Sequence, residues 1–153
     1  MEDVKRILVV VRMTKCCQKA IQYGLSLAQK HNAELFVMHV IHNPFGLEGW
    51  NIPMVSLKDD YNREIERTRK SLTELIRKEN EAGLKIKEVL PEGDPTEEIL
   101  KAIKNENIDL LLMTAHEEGR FEHFLFGSSN EAIIRKMPCS ILLVKERLKS
   151  VWY

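Results

Sequence analysis

The 153 residues predict an α/β fold, a three-layer Rossmann-like sandwich in which a parallel sheet lies between two layers of helices. Three observations carry that prediction. Strand-like and helix-like hydrophobic periods alternate along the whole chain in the order βαβαβαβαβ. Two of the strand segments, residues 7–11 (ILVVV) and 108–113 (IDLLLM), are aliphatic runs of the kind found in strands covered on both faces. No linker, repeat or low-complexity stretch divides the chain, so residues 1–153 read as a single domain, long enough to bury roughly 70% of the surface its unfolded form exposes.

Each element has its own local reason. The first strand is residues 7–11. From Thr14 or Lys15 to Asn32 the apolar residues Ala20, Ile21, Gly24, Leu25, Leu27 and Ala28 recur at three- and four-residue steps, which is the stripe of a helix. Residues 34–41 (ELFVMHVI) form the second strand. The stretch NPFGLEGWNIPMVS, residues 43–56, holds two prolines, two glycines and two asparagines, and it reads as a long loop. Its Phe45, Leu47, Trp50, Ile52 and Met54 are too apolar for a solvated connection and imply a fold-back or a partner.

Residues 57–81 are highly charged, with Tyr61, Ile65, Leu72, Leu75 and Ile76 as a narrow apolar stripe and Gly83 beyond as a terminating residue. Residues 84–90 (LKIKEVL) alternate apolar and charged side chains, as a half-exposed edge strand does. In GDPTEE, Asp94 can cap a helix, Pro95 suits its first position and Glu97 completes an acidic capping box; the helix runs to about Asn105. Residues 108–113 are the fourth strand, 115–126 a loop or short helical turn, 129–136 a helix, and 140–144 the fifth strand.

Lys and Arg together number 23, as do Asp and Glu, and this balance argues against binding to nucleic acid or an anionic membrane through bulk charge. No apolar run reaches the length of a membrane span, and MEDVKRILVVV lacks the form of a secretory signal, so a cytoplasmic location is expected. Cys16, Cys17 and Cys139 show no CxxC or Cys/His spacing, and they read as reduced thiols. His31, His39, His42, His116 and His123 likewise lack the carboxylate or cysteine partners of a metal site.

Ligands of such sheets bind at the carboxyl ends of the strands, where the strand order reverses. The segments that reach that edge are residues 11–14, residues 40–42 and residues 114–129. The stretch FLFGSSNE (124–131) places glycine and hydroxyls at a helix start, which serves equally as an anion cradle and as an ordinary cap.

At these residues the chain resembles the universal stress protein family. The carriers are ILVVV, HV at 39 and 40, GDPTEEIL at 93–100, His116, FGSSNEAIIRK at 126–136 and PCSILLV at 138–144. The resemblance implies the adenine nucleotide alpha hydrolase-like form of the fold. It further implies five parallel strands in the order 3-2-1-4-5 and a homodimer through strand five, beside which lies the tail Val151, Trp152 and Tyr153.

Nucleotide-binding members of the family carry an acidic residue after strand one. After strand four they carry Gly, two residues, Gly, nine residues, then Gly-Ser/Thr. Counted back from Gly127-Ser128, the first two glycines fall at Thr114 and Glu117, and the acidic position at Arg12. Glycines admit phosphate to the backbone. A carboxylate about 4 Å from a phosphate costs about 1 kcal/mol in a water-like medium and about 4 kcal/mol at the effective dielectric near a protein surface.

The expectation is therefore a non-enzymatic regulatory protein. It would act as a homodimer with a protein partner not named by the sequence, require no cofactor, and bind ATP weakly or not at all. An Arg12–Glu117 ion pair would fill part of the nucleotide pocket. The alternative is an adenine-nucleotide switch. The residues available to a nucleotide or anion are Arg12, Val40, His116, Gly127, Ser128, Ser129 and Asn130. Catalysis finds little support, since carboxylates after strand one and a nucleophile motif are both missing.

Overall fold

The computed structural model describes residues 3–12, 18–42, 55–117, 124–125 and 127–147. Their elements follow as β1 (Arg6–Val10), α1 (Gln18–His31), β2 (Glu34–Met38), α2 (Val55–Glu79), β3 (Ile86–Val89), α3 (Pro95–Asn105), β4 (Leu110–Glu117), β5 (Phe124–Leu125), α4 (Gly127–Lys136) and β6 (Ser140–Arg147). Five strands run parallel in the order β3-β2-β1-β4-β6. This is the expected 3-2-1-4-5 order; the last number moves by one because the short antiparallel β5 intervenes in the chain.

The period-two alternation of the strands divides the core between the two faces of the sheet. On one face Ile7, Val9, Val11, Leu35, Val37, Leu112 and Val144 pack against Ala20, Ile21, Leu25 and Ala28 of α1 and Leu72 and Ile76 of α2. On the other, Leu8, Phe36, Met38, Leu111 and Met113 meet Ile99 and Ile103 of α3 and Ile133 of α4. Helix α1 lies close on β1, because Gly24 leaves no side chain between them: a Cβ there would stand 2.5 Å from Val9 Cγ2. At the amino edge, Asp109 Oδ2 accepts from the Lys5 and Arg6 amides at 2.9 Å each and fixes β1 beside the start of β4.

Helix α3 starts as its sequence predicts. Asp94 Oδ1 accepts from the Glu97 amide at 3.0 Å and Pro95 opens the first turn. Helix α2 ends earlier than the stripe suggests, at Glu79, because Asn80 closes the turn. Its Oδ1 accepts from the Leu84 amide and its Nδ2 donates to the Leu84 carbonyl, while Gly83 supplies the left-handed backbone (φ 68°). β3 is the charged edge strand expected, with Lys87 Nζ 5.0 Å from the centre of the Phe36 ring.

Several expectations need correction. Residues 115–126 read as a loop or helical turn, but β4 continues to Glu117 and Phe124–Leu125 form β5, while the rest of that stretch lies outside the described residues. The polar residues Thr114 to Glu117 join the sheet because β6 pairs with β4 from Leu110↔Ser140 through Glu117↔Arg147, and ladder hydrogen bonds require no apolar side chain. Helix α4 starts at Gly127 rather than 129, since the first helical turn needs no intrahelical donors. β2 stops at Met38, where its pairing with β1 ends at Val10. Val55 and Ser56 belong to α2 rather than to the loop before it. The expectations for residues 13–17, 43–54 and 148–153 fall outside the described residues.

Candidate functional site at the carboxyl edge

The strand order reverses between β1 and β4, whose pairing runs from Ile7↔Leu110 to Val9↔Leu112 and then stops. β1 turns away toward β2: the Val11 amide donates to the Met38 carbonyl at 2.9 Å. β4 continues, with β6 on one side; on the other, among the described residues, nothing pairs with it after β1 until β5. β5 takes that edge at its far end, pairing Leu125 with His116 and Phe124 with Glu117. Among the described residues the cleft at the switch point is therefore bounded by the end of β1, the stretch of β4 beyond Leu112 and the backbone of β5.

The loops after β2 and β3 form the wall beyond β1. The His39 amide donates to the Val89 carbonyl, the Ile41 amide to Pro91, and the Gly93 amide to Ile41, so the two loops close together past the strands. The His39 ring places Nδ1 2.9 Å from the Val11 carbonyl oxygen. A carbonyl only accepts, so Nδ1 carries the hydrogen and Nε2 of the neutral ring is left as an acceptor. Val40, between these bonded residues, packs its side chain on the α3/α4 face of the core. Its own N–H and C=O have no hydrogen-bond partner among the described residues.

On the β4 side, the only buried polar residues among the described ones are Thr114 and Asn130, at 7% and 8% exposure. Asn130 Nδ2 donates to the Thr114 carbonyl at 3.2 Å and ties the first turn of α4 to β4. Asn130, one of the residues expected to be available to an anion, thus uses its side-chain amide inside the protein. Helical spacing carried the signal, since Asn130 stands three residues before the fully buried Ile133 and shares its face. Gly127, Ser128 and Ser129 form the start of α4, where free N–H groups and the positive end of the helix dipole favour an anion.

Of the other expected residues, Arg12 is exposed just past β1, and His116 and Glu117 take their places by strand register, paired to β6 on one side and β5 on the other. The side chain of Glu117 lies outside the described structure, and so does the Arg12–Glu117 pair. Reasoning from sequence missed β5 and the His39 bond to Val11. The FLF triplet after a charged loop was the available signal for β5; nothing in the sequence announced the histidine bond.

The remaining chemistry lies elsewhere. Cys139 sits at the amino edge near Asp109, and burial pushes its thiol above the ordinary range, which favours the protonated form. Among the described residues no group of three or more His, Cys, Asp or Glu could hold a metal ion, and no helix is long and apolar enough to cross a membrane. A groove of about 190 Å³ beside α3 is lined by Phe36, Met38, Val89 and Pro91, and an open hollow at the amino edge by Lys5, Arg6, Lys30 and His31. Neither belongs to the switch point.

Known proteins resemble this architecture over nearly the whole chain. Universal stress protein MJ0577 of Methanocaldococcus jannaschii is 25% identical over 155 residues, covering 94% of this chain and 96% of its own. Universal stress protein A of Yersinia pestis is 31% identical over 144 residues, covering 94% and 93%. The solved structure of UspA from Lactobacillus plantarum superimposes with a TM-score of 0.74 at 19% identity, covering 94% of this chain and 99% of that one. A universal stress protein solved in complex with cAMP does so with a TM-score of 0.67 at 17% identity, covering 94% and 98%. The sequence profile of the universal stress protein family matches residues 3–145, and the chain belongs to that family.

Proposed function

We propose that this protein is a cytoplasmic, non-enzymatic regulatory member of its family that acts as a homodimer through protein contacts, and that it binds adenine nucleotide weakly at the cleft between β1 and β4. One observation carries the weak-binding part. Positions 114 and 117, where nucleotide-binding relatives would present glycine, are strand residues here, paired with Val144 and Arg147 of β6, and position 117 is paired with β5 as well. Backbone donors engaged in a ladder are lost to a phosphate. Arg12 in place of an acidic residue removes a further contact of the ordinary kind.

The homodimer is argued from the outer edge of β6. Among the described residues β6 pairs with β4 alone, and Leu143 is 38% exposed on it. An edge strand with an exposed leucine favours pairing with a second copy. The second reading, a nucleotide switch, has its own support in the helix start at Gly127 and in the relative solved with cAMP.

Calorimetry with ATP, ADP and AMP, with and without Mg²⁺, tests the first part. Dissociation constants near millimolar are expected, and micromolar affinity would favour the switch. Light scattering on the eluting protein tests the second: the mass of one chain at micromolar concentration would sink the homodimer.

A further inference from the structure

We infer that β5 is a strap across the nucleotide cleft, and that its backbone pairing with β4 holds the cleft shut in the resting protein. This rests on the weak-binding reading above and supplies its physical cause. β1 gives up the edge of β4 after Leu112, yet β4 runs on to Glu117. Extending the β1–β4 register would set position 13 opposite His116; the residue found there is Leu125. The strap thus lies in the lane β1 vacates, which is the lane in which sheets of this order receive ligands. Paired antiparallel strands bring their Cα atoms to about 4.5–5.5 Å, too close for a nucleoside or phosphate to pass between them.

The connection to α4 makes the strap more than a filler. Leu125 is two residues from Gly127, the first residue of α4. The same short segment therefore leads into the start of α4 and closes the lane beside it. Two paired residues make a weak closure, which is the property a movable element needs. A cleft open only a tenth of the time lowers the apparent affinity of its ligand about tenfold.

Two variants test the strap, with AMP and ATP as probes and calorimetry as the readout. The first, Phe124→Gly with Leu125→Gly, loosens the pairing. The second, Glu117→Cys with Phe124→Cys, sets thiols on an antiparallel pair within disulfide reach; bond formation is checked by peptide mass mapping. The expected result is binding at least about tenfold tighter in the glycine variant. In the tethered variant, binding is lost on oxidation and restored by reduction. Oxidised and reduced forms are compared on one chain, so the test survives even if the glycine variant does not fold.

If the parent binds weakly and neither variant changes affinity, the strap is wrong and the weak-binding reading stands. Micromolar binding by the parent, abolished by oxidation of the tethered form, would overturn weak binding and keep the strap. Micromolar binding indifferent to oxidation would overturn both. No binding by any form up to millimolar also counts against the strap, because its release should have opened a site.

Discussion

Gly24→Ala is the substitution whose outcome the packing of α1 on β1 fixes most firmly. In isolation it should help, since alanine in a helix interior is favoured over glycine by about 1 kcal/mol. Position 24 is not isolated. The new Cβ would stand 2.5 Å from Val9 Cγ2 and 3.3 Å from Leu35 Cδ1, where ordinary contacts are wider by about 1 Å at the first. Val9 is fully buried and β-branched, so it cannot rotate away, and the helix must lift. Overpacking of this kind costs about 1–3 kcal/mol, and contact with a stiff neighbour puts it at the upper end. After the helix-propensity gain a loss of about 2 kcal/mol remains, or a fall in Tm of about 4–8 °C for a domain of this size. Urea unfolding of Gly24→Ala, Val9→Ala and the double variant reads this directly. Val9→Ala removes Cγ2, so the double variant should be more stable than the sum of the single losses predicts, by about 1 kcal/mol or more. Gly24→Ala at or above parental stability, or strict additivity, would refute the argument.

Two further outcomes follow. Asn130→Ala should destabilise by about 2 kcal/mol, because it leaves the buried Thr114 carbonyl without its donor and opens a small void; amide exchange should rise at the start of α4 before it rises in β1. At Cys139 the thiol is held above its ordinary range by burial, so alkylation at that position, followed by peptide mapping, should lag an exposed thiol across pH 7–9. The sign for stability is the same. The folded state keeps its proton longer than the unfolded state, so this contribution is full below the unfolded thiol's pKa and fades as pH rises through the folded value.

The elements legible in the sequence are those whose reason is local. β1 is a short aliphatic run rich in β-branched residues, as a strand covered on both faces requires, and Asp94-Pro95 states the start of α3 in its own chemistry. The elements that were not legible are made by neighbours. Thr114 to Glu117 have no strand-like pattern, and they are strand because β6 lies beside them. β5 has two residues, a single cycle of the period-two alternation and too short to set a pattern. The site follows the same division. That a helix begins near Gly127 was readable from glycine and serines, though two residues late, whereas the use of Asn130 depended on which face of α4 meets the core. His39 looked like one histidine among five, and only the close approach of β1 and β2 gives its ring a carbonyl to bind.

The extension of β4 past Leu112 links two features that the sequence presents separately. Had β4 ended at residue 113, the positions after it would have been free to loop around a phosphate, and β6 would have had a partner only to residue 143. Running to Glu117, β4 draws four more residues of its own into the ladder and carries β6 to Arg147. The backbone donors removed from the cleft and the added length of the outer edge are thus two results of one pairing. A partner that lies along β6 steadies the far end of β4, and with it the edge on which β5 rests. Pairing at β6 should therefore favour the closed strap, whereas a ligand that displaces β5 should loosen the end of β4 and weaken pairing at β6. Linkage requires the two effects to be equal in free energy and of the same sign, so that pairing weakens ligand binding by the factor by which the ligand weakens pairing. If AMP binds the parent protein about tenfold tighter at dilutions where the chains are separate than where they are paired, the cleft and the outer edge are coupled through β4. Equal affinity across the dilution series would mean that β4 is too stiff to carry the coupling.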